Sequence, residues 1–147
     1  MNTAAQTVTI VMIEDDEGHA RLIERNLKRA GLLNEVRHFT DGTAAMEHLL
    51  GPARPAGNPL LILLDLNLPD MSGIDILARL KEDTELRAAP VVVLTTTDDE
   101  REIRRCYELG CNVYVTKPVN YETFAQAIRQ LGLFLAVMQV PKAGGGA

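Results

Sequence analysis

Five short apolar runs alternate with five stretches of helical period along the chain. The runs are Val8 to Ile13, Glu35 to Phe39, Leu60 to Leu64, Val91 to Leu94 and Val113 to Thr116. Between them, apolar residues recur every three or four positions, the spacing of a helix with one face on a core. One helix is predicted from about Gly18 to Ala30, with Leu22, Ile23, Leu27 and Ala30 on one face and Gly31 as its stop. A second follows Asp41 and ends near Leu50, and a third runs from Ser72 to Lys81 with Ile74, Leu77 and Leu80 inward. A charged, largely solvated helix spans about Asp99 to Leu109, and the last runs from about Tyr121 to Met138. Leu60 to Leu64 is apolar at every position, which predicts a central strand buried on both faces. Glu35 to Phe39 alternates weakly, as a sheet edge does. This alternation predicts an α/β fold, a parallel sheet wrapped by helices.

Gly51 to Pro59 is loop-like in composition, and Pro118 ends the fifth strand. With 147 residues and no linker, the expectation is one domain over 5–138 and a flexible tail over 139–147.

Composition narrows the function classes. A net charge of −5 excludes a basic face for nucleic acid. No apolar run approaches the ~20 residues that cross a bilayer. The opening residues Met1-Asn2-Thr3-Ala4 show no export pattern, so a cytoplasmic location is expected. Cys106 and Cys111 lack metal-ligand spacing and read as small buried hydrophobes. His19, His38 and His48 are scattered and read as surface or satisfied residues without partners.

Candidate chemistry collects where the strands end. The first closes on Glu14-Asp15-Asp16, the third on Asp65, the fourth on Thr95-Thr96-Thr97 and the fifth on Thr116-Lys117. In an open parallel sheet these carboxyl ends share one edge, where ligands bind. Glu14, Asp15 and Asp65 would then repel: two unit charges 4 Å apart cost about 4 kcal/mol in a partly buried crevice. Oxygen donors without His or Cys suit magnesium, which takes one or two carboxylates together with phosphate oxygens. A phosphoryl group is the matching guest. Asp65 is the candidate nucleophile, Lys117 neutralises a phosphoryl oxygen and Thr95 donates a hydroxyl hydrogen bond.

The segments Ile13-Glu14-Asp15-Asp16, Leu64-Asp65-Leu66-Asn67-Leu68-Pro69-Asp70-Met71-Ser72-Gly73, Leu94-Thr95-Thr96 and Thr116-Lys117-Pro118 resemble the four signature stretches of response-regulator receivers. The resemblance covers roughly residues 8–136, with the four stretches in order. It implies a flavodoxin-like (βα)5 three-layer sandwich with strand order 2-1-3-4-5. It also implies Mg2+ ligation by Asp15, Asp65 and the backbone carbonyl of Asn67, with Glu14 in support through water. Lys117-Pro118 resembles the family's cis peptide, and Tyr114 its switch aromatic, which turns as Thr95 moves toward the phosphoryl oxygen. Leu63 to Pro69, the Leu94-Thr95-Thr96-Thr97 run and the C-terminal extension are closer still to the single-domain regulators that partner bacterial phytochromes. The implied partner is a sensor histidine kinase, and the implied role is that of a phosphoacceptor signalling protein, not an enzyme acting on other substrates.

Beyond Gly132, Leu133, Phe134, Ala136 and Val137 fill the faces of the last helix that should meet water. This predicts a homodimer through that helix and the tail, the alternative being an end that folds back on its own domain. The rivals are a nucleotide- or flavin-binding enzyme, disfavoured by an acidic first loop without a glycine-rich cradle, and a phosphorylation-independent pseudo-receiver. An acid-nucleophile phosphatase would want Asp where Asn67 stands.

Overall fold

The computed structural model describes residues 8–52 and 59–139, and side chains as far as Leu131. The elements are β1 (Thr9–Ile13), α1 (Glu17–Arg29), β2 (Val36–Phe39), α2 (Gly42–Leu50), β3 (Leu60–Leu64), α3 (Gly73–Glu82), β4 (Val91–Thr95), α4 (Glu100–Leu109), β5 (Val113–Thr116) and α5 (Tyr121–Gln139). A single 3₁₀ turn, Leu86–Ala88, precedes β4. The strands pair in parallel in the order β2-β1-β3-β4-β5. This is the flavodoxin-like order, with β3 in the middle and β2 at one edge.

Side chains leave a strand alternately to its two faces, and β3 shows the consequence. Leu61 and Leu63 join Ile10, Met12, Val92 and Leu94 under α1 and α5, where Ile23, Leu27 and Phe124 close the layer. Leu60, Ile62 and Leu64 join Val11, Ile13, Val91 and Val93 under α2, α3 and α4, against Leu49, Ile76 and Leu80. On α3 the fully buried residues include Ile76 alongside Leu77 and Leu80, while Ile74 packs only partly against that layer. Cys106 and Cys111 are buried, and burial pushes their thiols up to about 11 and about 12, as inert core residues.

Helix starts follow side-chain caps. Asp16, Asp41, Ser72 and Asp99 each accept a backbone N–H at the head of a helix. At α2 the work is shared. Asp41 takes the Ala44 N–H at 2.7 Å, and Asp70, far along the chain, takes those of Gly42 and Thr43, both at 2.8 Å. The Thr43 hydroxyl donates to the same carboxylate. These bonds, Thr43's first, hold the Asp70 carboxyl down to about 2. A carboxylate with a lowered folded value contributes stability above its unfolded value, lost as pH falls through the folded one. The stability margin of the wild type over Asp70→Asn, read by urea unfolding across pH, should therefore be constant above about pH 5. It should vanish between about pH 4 and about pH 2.

No helix among the described residues is long and apolar enough to cross a membrane. The tail, the middle of the loop after α2 and the side chains expected to form a dimer contact lie outside the described residues.

Candidate functional site

The carboxyl ends of β1, β3, β4 and β5 bring the predicted residues together. Strand register sets the positions: Ile13 pairs with Leu64, and Thr95 pairs with Thr116. The next residue of each strand therefore emerges at the same edge. Glu14, Asp15 and Asp65 each offer a carboxylate oxygen within 4.8 Å of the others. Glu14 and Asp65 are buried, whereas Asp15 is exposed.

Lys117 sits among these acids. Its ammonium donates to Glu14 Oε1 at 2.5 Å and to Asp65 Oδ2 at 3.1 Å, and Nζ lies 3.1 Å from His19 Nδ1. An ammonium can only donate, so His19 Nδ1 accepts, and all three protons of Lys117 have partners. Three carboxylates against one ammonium still leave a local charge of about −2, held partly out of water. Burial, opposed by the Lys117 hydrogen bond, raises Glu14 above the ordinary carboxylate range. The Lys117–Pro118 peptide is cis, as the resemblance implied.

Asn67 connects the acids to β4. Its N–H donates to Asp65 Oδ1 at 3.1 Å, while its side-chain amide donates to Thr95 Oγ1 at 3.1 Å and Thr96 Oγ1 at 3.3 Å. Thr95 is fully buried, and its carbonyl accepts the Lys117 N–H at 2.7 Å. Tyr114 is half-buried against the α4 side of the core, and its hydroxyl donates to the Thr97 carbonyl at 2.7 Å. Burial keeps that phenol well above its ordinary value. The aromatic thus holds the segment that follows Thr95.

Two histidines depart from the sequence expectation. His19 contacts Lys117 and lies 3.9 Å from Glu14 Oε2, and His38 Nε2 donates to the Glu14 carbonyl at 2.7 Å. Neither is partnerless. The reason is tertiary: Met12 pairs with His38 across the sheet, and the first turn of α1 folds back over the β1 end. A usable signal was the place of His19 in the turn directly after the acids. His48 does lie away from the site, packed on the Phe39 ring at 5.0 Å between centroids.

A cleft of about 490 Å3 opens beside the acids, lined by Asp15, Asn67, Met71, Ser72 and Glu102 among others. It has room for more than ten waters at about 30 Å3 each, and so for a hydrated cation with a phosphoryl group. The donor set is oxygen-only and over-supplied with negative charge, which suits a hard divalent ion.

Residues 10–129 match the response regulator receiver domain family. A receiver domain from Rhodospirillum rubrum is 67% identical over 91% of this chain and 97% of its own, with TM-score 0.77. The bacteriophytochrome response regulator RtBRR is 41% identical over 94% of this chain and 86% of its own, with TM-score 0.78. Response regulator Rcp1 of Synechocystis is 36% identical over 91% of this chain and 93% of its own. The Mn(2+)-bound form of Rcp1 superposes with TM-score 0.72, at 35% identity over 90% and 96% of the two chains. The family match spans most of the sequence, and the chain belongs to the response regulator receiver domain family.

Proposed function

We propose that this chain is a single-domain response regulator whose Asp65 accepts a phosphoryl group from a sensor histidine kinase in a Mg2+-dependent reaction in the cytoplasm. One observation carries the reading: Lys117 Nζ bonds Asp65 and Glu14 together, within reach of Asp15. When bound, the ion would supply charge neutralisation to the acids and to the incoming phosphoryl oxygens, held by Asp15, Asp65 and the Asn67 carbonyl, with Glu14 in support. That the relative Rcp1 has a Mn(2+)-bound form supports a divalent ion as the ligand.

The protein's own groups do the rest. An Asp65 carboxylate oxygen forms the new bond to phosphorus as the phosphorus–nitrogen bond of the donor phosphohistidine breaks, and the leaving imidazole keeps that electron pair. Lys117 exchanges one of its contacts for a phosphoryl oxygen, and the Thr95 hydroxyl turns to donate to another. Asn67 keeps Asp65 oriented through its N–H. A displaced Thr95 segment would free the hold of Tyr114 on Thr97, changing the surface of α4, β5 and α5. Likeness to a bacteriophytochrome regulator supports a kinase partner of that class. The apolar sequence after Gly132 supports a second copy as a further partner, with the domain over 5–138 and the tail over 139–147.

The test is intact-mass spectrometry after incubation with acetyl phosphate. One phosphoryl mass should be gained with Mg2+ and none with excess chelator. No gain under either condition would favour the phosphorylation-independent module.

A further inference from the structure

The segment between Asp65 and α3 forms a closed ring. Its neck is tied by Gly73 N–H to the Leu66 carbonyl at 3.0 Å and by pairing of Asn67 with Ser72. The neck also needs a glycine: a Cβ on Gly73 would lie 2.5 Å from the Asp65 carbonyl oxygen and from Leu66 Cα. Asn67 stands on this neck, and Asp70 and Met71 form the far side.

That far side rests on α2. Asp70 accepts the first two N–H groups of the helix and the Thr43 hydroxyl. The Met71 side chain lies so close over Gly42 that a Cβ there would sit 2.4 Å from Met71 Cγ. The helix start and the loop tip are mutually dependent. Those N–H groups have no partner within the helix, and the exposed tip is fastened by a charge-assisted clamp.

We infer that Asp70 is a positioning residue for the metal-binding edge: by clamping the 66–71 loop to the α2 N-terminus it holds the Asn67 backbone at the acids. This rests on the proposed function, in which the Asn67 carbonyl faces the divalent ion. Asp41 provides the internal control. It caps the same helix with the same kind of side chain and carries the same charge, but it belongs to no part of the ring.

The experiment is calorimetric titration of the full chain with MgCl2, in wild type, Asp70→Ala and Asp41→Ala. Removing a group that orients a ligand typically weakens metal affinity about 10-fold or more. Asp70→Ala should show that loss, and Asp41→Ala should stay within about twofold of wild type. Both should lower the unfolding midpoint. The Asp70→Ala loss should persist at about 1 M salt, where charge acts over only ~3 Å. Equal affinities in the two variants, or a loss that disappears in salt, would overturn the inference. A wild type that neither binds Mg2+ nor gains phosphoryl mass would instead remove the proposed function beneath it.

Discussion

Asp65→Asn should gain no phosphoryl mass from acetyl phosphate and Mg2+, and in the absence of the ion it should be more stable than the wild type. The first half follows from chemistry. An amide oxygen is a poor nucleophile toward phosphorus, and no other carboxylate in the cluster has the same bond to Lys117 together with the N–H of Asn67. The second half follows from charge. Asp65 is repelled by two carboxylates, Glu14 and Asp15, and attracted by one ammonium. Each such interaction near 4 Å is worth between about 1 and about 4 kcal/mol, depending on screening. Removing one charge loses two repulsions and one attraction, a net gain of about 1 kcal/mol once the exposure of Asp15 is allowed for. Mg2+ should reverse the order, because the wild type binds it more tightly and is stabilised by mass action. Thermal unfolding of both proteins with and without MgCl2 reads this crossover. A variant less stable than wild type in chelator would mean that the acids are not in conflict.

The acidic cluster was legible in the sequence because backbone geometry alone puts strand ends at one edge. Leu60 to Leu64 had to be a central strand, since five consecutive large apolar residues can be buried only with helices on both faces. Asp65 then had to stand at its exit. The 3₁₀ turn Leu86–Ala88 left no such trace, being too short to show a period. His19 and His38 were misjudged for a different reason. Their environment is made by sheet pairing and by the return of α1, which residue spacing does not encode. The clamp of Asp70 on α2 was hidden in the same way, since Asp41 already satisfies the local signal for a helix start.

Lys117→Met should slow phosphorylation by about 100-fold, the loss typical when one group aimed at developing charge is removed. It should also destabilise the fold by about 3 kcal/mol at neutral pH without Mg2+. Methionine keeps much of the length and apolar stem of the lysine, so packing is nearly preserved. What disappears is the only cation bonded to both buried acids among the described residues. Breaking a buried pair by removing one partner costs about 3–5 kcal/mol, and the open side toward Asp15 puts this case at the lower end. The pH dependence has a fixed sign. In the wild type, burial already raises Glu14, and the hydrogen bond from Lys117 is the largest influence lowering it. Without the lysine Glu14 rises further, so the folded variant holds a proton that the unfolded chain releases. Its stability must then fall as pH rises between the unfolded and folded values. Urea unfolding at pH 5 and pH 8 should show the smaller deficit at pH 5. A deficit equal at both values would mean that Lys117 acts through packing and not through Glu14.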